Sequence, residues 1–192
     1  MVLASTPRSR ATRERIHEAA RTTFAAHGYD GATLRNIARQ AKTNVALVIR
    51  YFGNKEDLFA MAVEFDLRLP PLDELDRDML GELMVAHFLT IWEESRSGRE
   101  LVALLRAAAS HAAAKARMQQ IFHVQLLSAI GTLGFPPEEV GIRASLVASQ
   151  MLGFALIRYV LEFESHSLDD RTVVSAIART IQYYLSEPLS KV

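Results

Sequence analysis

Residues 28–58 constrain the fold of this chain more than any other segment, because they contain two short helical patterns separated by a tight turn. Gly28 can stop the preceding helix, and Thr33 can accept a hydrogen bond from the free amides of the next one. Asn44 can cap a second helix in the same way. Two short helices joined in this manner are typical of a DNA-binding helix-turn-helix.

The second short helix presents a mixed outer surface. Leu47 and Val48 can pack against the apolar face of the first helix. The side chains left on the outside are small, apolar or basic: Val45, Ala46, Ile49 and Arg50. Such a surface suits entry into a major groove, where it can touch thymine methyl groups and reach phosphates.

The residue order of the segment is specific: Gly28-Tyr29, Ala32-Thr33, Ile37-Ala38, Ala41, Asn44 and Tyr51-Phe52-Gly53-Asn54-Lys55-Glu56-Asp57-Leu58. Across roughly residues 10–60, this order resembles the N-terminal domain of the TetR family of transcriptional regulators. The resemblance implies an all-helical homodimer, usually a repressor, with a three-helix DNA-binding head and a larger, variable domain that binds an inducer.

The resemblance also implies which residues contact DNA. Thr33, Tyr51 and Lys55 match positions that usually contact phosphates. The positions that usually face bases or the adjoining backbone hold Arg35, Asn44, Val45, Ala46, Ile49 and Arg50. Simpler roles stay open, since Thr33 and Asn44 can serve only as helix caps and Arg50 can simply be solvated.

Two departures from the family pattern affect the head. Lys42 occupies a turn position where the family commonly has glycine, and a positive φ there would cost lysine about 1 kcal/mol. Ile49 and Arg50 replace a frequent aromatic pair at the end of the recognition helix. The base preference of relatives therefore does not transfer, and we expect Arg50 to read a guanine.

Composition excludes several classes of protein. The chain has 192 residues, 49% of them hydrophobic, which is enough for a substantial core. Cysteine is absent, so disulfides and thiolate metal sites are excluded. No signal-peptide pattern or uninterrupted apolar run of membrane-spanning length occurs, and residues 144–161 contain polar interruptions that favour a buried helix. These features predict a soluble, cytoplasmic protein without cofactors.

The formal net charge is zero, but the charges are unevenly distributed along the chain. Residues 1–60 contain ten basic and five acidic side chains, and the remainder contains twelve and seventeen. A basic head on an acidic body directs double-stranded DNA to one end, because neutralised phosphates release counterions.

The remaining pattern predicts an all-α architecture, with a helix-turn-helix head at 1–53 and a helical-bundle ligand-binding and dimerisation domain at 54–192. A first helix is expected near 8–27 and a fourth from about residue 54. Prolines at 70 and 71 mark a boundary. Further helices are predicted near 73–95, 98–110, 112–131, 137–163 and 169–186.

The last two helices are apolar on more sides than one subunit can cover, which predicts a homodimer through a four-helix bundle. The candidate interface residues are Val147, Leu156, Val174, Ile177, Ile181 and Tyr184. Burial of these side chains within a single subunit is the alternative. A dimer would place two heads about 34 to 36 Å apart on a pseudo-palindromic operator.

Large, soft side chains in the body suit an apolar cavity for an unknown small-molecule inducer, although core packing explains them equally well. The candidates are His87, Phe88, Trp92, Arg106, Met118, Phe122, Met151, Phe154 and Arg158. Arg158 could pair with an anionic inducer or, as the simpler expectation, with Glu162 or Glu100.

The sequence offers no catalytic or metal-binding constellation: His111 and His123 have no acid at metal-ligand spacing, and no nucleophile or phosphate-binding loop pattern occurs. We therefore predict a regulator and not an enzyme. A DNA-binding architectural or scaffold protein without an effector is the alternative.

Overall fold

The computed structural model describes residues 7–63, 65–94, 97–163 and 171–189, and within these ranges the regular elements are helical. The all-α prediction is confirmed. The helices are α1 (Pro7–Gly31), α2 (Leu34–Gln40), α3 (Val45–Phe52), α4 (Lys55–Ala62), α5 (Leu80–Glu93), α6 (Ser97–Ala108), α7 (Ala112–Ile121), α8 (Leu127–Gly131), α9 (Pro137–Ala155) and α10 (Arg171–Ser186). Short 3-10 turns cover Leu72–Glu74 and Arg77–Met79, and π-helical turns cover Phe122–Leu126 and Leu156–Val160.

The described residues form two compact units. The first, named the head unit, lies within residues 1–65 and 99–118, and the second, named the body unit, lies within 66–98 and 119–192. Helix α4 and most of α6 therefore group with the helix-turn-helix. The division of the chain at residue 53 into a DNA-binding and a ligand-binding domain stays a prediction.

The core of the head unit consists of large side chains that are almost fully buried: Ile16, Phe24, Ile37, Val48, Leu58, Phe59 and Leu104. Phe59 of α4 packs edge-on against Phe24 and Tyr29, with ring centroids 4.9 and 5.1 Å apart. Aromatic pairs in this geometry contribute about 0.5 to 1.5 kcal/mol beyond their buried area. These contacts hold α4 firmly against α1.

Helix α6 joins the head unit through a buried ion pair. Arg21 of α1 donates two hydrogen bonds to the carboxylate of Glu100, at 3.2 and 3.0 Å. Glu100 is only 4% exposed. Because a bidentate pair of this kind fixes both distance and orientation, it sets the position of α6 on α1.

The body unit is built around the contact between α5 and α10. Leu80, Met84 and Val85 of α5 are buried in one core with Ile177 and Ile181 of α10. This helix start corrects the predicted helix at 73–95: Leu75 has extended φ/ψ angles and the α-helix begins at Leu80. The Asp76 side chain accepts a hydrogen bond from the Asp78 amide at 3.0 Å. This bond stabilises the 3-10 turn Arg77–Met79, which precedes α5.

The end of α10 is tied to the start of α9 by one arginine. Arg143 is 3% exposed. Its Nε and Nη2 donate to the Glu139 carboxylate at 3.0 and 2.6 Å, and Nη2 also donates to the Glu187 carbonyl at 3.0 Å. Its Nη1 donates to the carbonyl of Tyr184. The guanidinium lies 4.1 Å from the centre of the Phe135 ring.

The helical run Pro137–Val160 is long and apolar enough, by length and composition, to span a membrane, and it alone passes this test within the described residues. The core helix of a soluble protein passes the same test. Only 33% of its most apolar window is buried in the subunit. Two large apolar side chains, Ile142 and Leu156, are exposed and mark the uncovered surface of this run.

Three predicted interface residues do not lie on that uncovered surface. Val147, Ile177 and Ile181 are buried in the core of their own subunit, which corrects their assignment to a dimer interface. Val174 and Tyr184 pack partly buried against the same core. Leu156, which was among the predicted interface residues, is 39% exposed just beyond α9, and Ile142 of α9, which was not, is 55% exposed.

Candidate DNA-binding surface and effector region

Both short helices of the helix-turn-helix begin at the predicted side-chain caps. The Thr33 hydroxyl accepts a hydrogen bond from the Asn36 amide at 3.1 Å. Asn44 Oδ1 accepts one from the Leu47 amide at 2.8 Å. These caps satisfy amides that the helices themselves leave unpaired, so the sequence determines where α2 and α3 start.

The turn between the two helices contains the strained residue that the sequence pattern predicted. Lys42 has a φ of 51°, and the following residue, Thr43, donates its amide to the Ala38 carbonyl at 2.9 Å. A left-handed conformation brings Cβ too close to the backbone in every residue except glycine. The left-handed conformation of Lys42 therefore lowers the stability of the folded state slightly.

Replacing Lys42 by glycine should raise the free energy of unfolding by about 1 kcal/mol, because the Cβ clash costs about 1 to 2 kcal/mol and the greater freedom of unfolded glycine offsets part of it. Thermal and denaturant unfolding measure the change. Lys42→Ala is the matched control, since it removes the ammonium and keeps Cβ. Equal stabilisation of both variants would attribute the effect to charge and contradict the backbone explanation.

Helix α3 buries one face and exposes the other. Val48 and Phe52 are buried in the head unit. Ala46, Ile49 and Arg50 are exposed and Val45 is half-buried, so the predicted recognition surface lies on the outside of the helix. Within the part of the chain that the structure describes, the Arg50 guanidinium has no hydrogen-bond partner and is available to a ligand.

Two predicted phosphate contacts are held by the end and the start of α1. The Tyr51 hydroxyl donates to Ser9 Oγ at 3.2 Å. Lys55 Nζ lies 4.4 Å from the centre of the Tyr29 ring and 3.5 Å from the Asp30 carbonyl. These contacts restrict both side chains to the surface that surrounds α3.

Tyr29 itself stays neutral. Burial of its ring raises the pKa of the phenol above its ordinary value, and the carboxylates of Glu56 and Asp30 raise it further. A neutral ring face attracts the Lys55 ammonium through a cation–π contact, which supports the position of that lysine.

Arg35, the remaining predicted DNA contact, is exposed on α2. Sequence reasoning missed the residues that position this surface from α1. Arg13 lies 5.5 Å from the centre of the Phe52 ring, and His17 Nε2 lies 2.8 Å from the Met61 carbonyl. Their separation from the motif along the chain gave no local signal.

In the body unit, the structure brings together an aromatic group from the predicted effector residues. Phe88 lies 5.3 Å from Trp92 and 6.0 Å from Phe154, measured between ring centroids. Trp92 also stacks on Tyr159 at 5.3 Å with an interplanar angle of 12°. Tyr159 was not predicted, although it follows the predicted Arg158 directly in the sequence.

Arg158 joins this group and pairs with Glu93 at 2.8 Å, an internal acid other than the two named from the sequence. Its guanidinium lies 5.8 Å from the ring centre of Phe154. Glu93 ends α5 and lies 65 positions from Arg158 along the chain, so spacing within one helix could not predict the pair.

The other predicted effector residues are more widely distributed. His87 Nε2 lies 2.7 Å from the Leu67 carbonyl, Met151 is buried in the body core, and Phe122 packs partly buried against it. Arg106 and Met118 belong to the head unit, whereas the aromatic group belongs to the body unit. Among the described residues, no group of three or more His, Asp or Glu side chains is placed to hold a metal ion.

Two family models together match most of the chain. Residues 16–62 match the model of the bacterial regulatory proteins of the tetR family, and residues 78–185 match the tetracyclin repressor-like C-terminal domain. The chain belongs to the TetR family. The resemblance drawn from the residue order of the head is thereby confirmed, and the second match extends it to the body.

Curated relatives match short stretches of this chain. It is 48% identical over 54 residues to the HTH-type transcriptional repressor SCO4008 of Streptomyces coelicolor, a match covering 28% of each chain. It is 41% identical over 59 residues to the repressor AcnR of Corynebacterium glutamicum, covering 30% of this chain and 31% of the relative. The matches thus span less than a third of these relatives' lengths.

Solved TetR-family structures match the whole fold. A TetR-family regulator of S. coelicolor, SCO0857, aligns with a TM-score of 0.63 and 29% identity, over 96% of this chain and 99% of the other. NalD of Pseudomonas aeruginosa, the secondary repressor of the MexAB-OprM multidrug efflux pump, aligns with a TM-score of 0.61 and 20% identity, over 91% of this chain and 98% of NalD. The matched families and relatives are regulators, not enzymes.

Proposed function

We propose that this TetR-family chain is a cytoplasmic transcriptional repressor, which binds a pseudo-palindromic operator as a homodimer and leaves it when a small molecule binds the body unit. The observation that carries the proposal is the outer face of α3. It presents exposed Ala46 and Ile49 and an Arg50 that has no hydrogen-bond partner among the described residues, and the Asn44 cap sets where the helix begins. A helix of this kind can enter a major groove, with phosphate contacts at its edges.

The dimer is proposed to form through α9 and α10. Ile142 and Leu156 are exposed along an apolar helical run, and Tyr183 of α10 is 48% exposed. Apolar area of this extent is costly to leave in water, and a second copy of the same chain can cover it across a two-fold axis. One recognition helix reads only a few base pairs, so two copies also supply the specificity that a single head lacks.

The small-molecule site is proposed at the aromatic group of Phe88, Trp92, Phe154 and Tyr159. Flat, polarisable rings with one paired arginine at the edge suit an aromatic or anionic effector. Arg158 would exchange its Glu93 partner for an anionic group on the ligand.

The proposed response to the effector starts at the contact between Trp92 and Gly98. A Cβ on Gly98 would lie 1.9 Å from the Trp92 carbonyl oxygen, so the start of α6 is packed closely against the end of α5. A ligand that shifts Trp92 would therefore bias the position of this segment. Release from DNA requires only that the ligand prefer one of two states of the protein.

The proposal is tested by binding of the purified protein to DNA from its own upstream region and to random DNA of equal length, across salt concentrations. We expect selective binding by two chains per site. Arg50→Ala should lose about 1 to 3 kcal/mol on the selected site and much less on random DNA, because a guanine contact is specific and a phosphate contact is not.

Arg68→Ala is the matched control for Arg50→Ala, because it removes an exposed arginine of the body unit that lies outside α9 and α10, where it pairs with Glu94 at 2.8 Å. It should leave both affinities unchanged. If Arg50→Ala lost equal affinity for the selected site and for random DNA, Arg50 would contact phosphate and not a base. Equally weak, salt-sensitive binding to both DNAs by the unmodified protein would favour an architectural role.

A further inference from the structure

The apolar part of the α3 surface is unusual for the head unit. Ile49 is 50% exposed, and among the described residues of that unit no other large apolar side chain is exposed. Ala46 is exposed beside it and Val45 is half-buried. These three residues, here named the α3 patch, form one continuous apolar area in the middle of the outer face.

The polar groups that border the α3 patch are mostly committed to the protein itself. Asn44 Oδ1 accepts the cap hydrogen bond from Leu47, and the Tyr51 hydroxyl donates to Ser9. Arg50 is the hydrogen-bonding side chain on α3 that has no partner within the described residues. The centre of the recognition face therefore has little capacity to read bases by hydrogen bonds.

In the major groove, the apolar feature that distinguishes base pairs is the C5 methyl group of thymine. We propose that Ile49, with Val45 and Ala46, selects the operator half-site by contacting thymine methyl groups next to the base that Arg50 reads. The inference rests on the proposed function, since it assumes that α3 enters the major groove.

The charge around the α3 patch favours nucleic acid over a protein partner as its occupant. Arg35, Arg39, Lys42 and Arg50 are exposed on the two helices and the turn between them. Residues 1–60 have twice as many basic as acidic side chains. A small apolar patch surrounded by cations fits a groove that offers methyl groups between two lines of phosphates.

The test begins with selection of an operator from a pool of random duplex DNA by the full-length protein. Each thymidine of the selected half-site is then replaced singly by deoxyuridine, which removes the C5 methyl and keeps the hydrogen-bonding groups of the base. At one or two positions we expect affinity to fall about fourfold per methyl, the equivalent of one buried methylene-sized group.

Protein variants identify the side chain that detects the methyl. Ile49→Ala should bind the thymidine operator more weakly and should bind thymidine and deoxyuridine operators within about twofold of each other, because the two changes remove the same contact. Ile49→Ser serves as a second variant. Both substitutions replace the same exposed side chain, that of Ile49. Val124→Ala is the matched control: it shortens a side chain that is 61% exposed in the body unit, and it should retain the full deoxyuridine effect.

The outcomes separate the inference from the function on which it rests. A selection that enriches no sequence would overturn the proposed function and the inference together. An enriched operator whose affinity is unchanged by every deoxyuridine substitution would overturn the inference alone. The same holds if Ile49→Ala and Ile49→Ser keep the full deoxyuridine effect, or if neither variant changes affinity for the operator.

Discussion

Arg143→Met should lower the free energy of unfolding by about 3 to 5 kcal/mol, the loss expected when one partner of a buried ion pair is removed. Methionine keeps the apolar stem of the side chain but removes every donor to Glu139 and to the carbonyls of Tyr184 and Glu187. The carbonyls of Tyr184 and Glu187 at the end of α10 would then lose their charged donor, and hydrogen bonds to charged groups contribute about 1.5 to 3 kcal/mol each.

Denaturant unfolding at one fixed protein concentration measures this loss, because dimerisation would otherwise shift the apparent stability. Arg39→Met is the matched control, since it makes the same chemical change at an exposed position of α2, outside the proposed dimer helices, and should stay within about 0.5 kcal/mol. Arg143→Lys should recover only part of the stability, because one ammonium lacks the fork that reaches three acceptors. A loss below about 1 kcal/mol for Arg143→Met would show that desolvation of the guanidinium cancels its hydrogen bonds.

Gly81→Ala should lower the free energy of unfolding by about 3 kcal/mol, because it adds a methyl group where the structure has no room for one. A Cβ on Gly81 would lie 2.1 Å from the Ala178 carbonyl oxygen and 2.8 Å from the Gln182 amide nitrogen. Both are backbone atoms of α10, so α5 and α10 would have to move apart, and overpacking of this kind costs about 1 to 3 kcal/mol or more. The move would also stretch the 2.7 Å hydrogen bond from the Gly81 amide to Gln182 Oε1.

Gly141→Ala is the matched control for Gly81→Ala, because a Cβ on Gly141 of α9 would meet no heavy atom within 4 Å. There alanine should raise stability by about 0.5 to 1 kcal/mol, the usual difference between the two residues inside a helix. Melting temperatures of the two variants, compared with the parent protein, give the answer directly. Similar values for both would mean that α5 and α10 tolerate a wider separation.

Local features of the head could be predicted from the sequence because they depend on residues within four positions of one another. Thr33 and Asn44 cap their helices through amides three residues away. Lys42 has the positive φ expected of a position that relatives fill with glycine. The outward position of Ile49 and Arg50 follows from helical periodicity once the caps define where α3 begins.

Apolar periodicity alone could not decide which surfaces meet. Ile177 and Ile181 form a clear stripe, yet an apolar stripe is equally suited to α5 of the same chain and to a second copy. The structure places both side chains in the subunit's own core and leaves Leu156 outside. That choice depends on Gly81, whose missing side chain permits α10 to approach α5 closely.

The sequence by itself determined the helical class, the helix-turn-helix with its caps and strained turn, and the TetR resemblance, because these are encoded in spacings of a few residues. Only the tertiary structure decided that Arg143 reaches Tyr184, that Arg158 pairs with Glu93 and that Glu100 holds Arg21. These partners lie 41, 65 and 79 positions apart along the chain. Side-chain partners at such separations are selected by helix packing, which no local pattern of residues specifies.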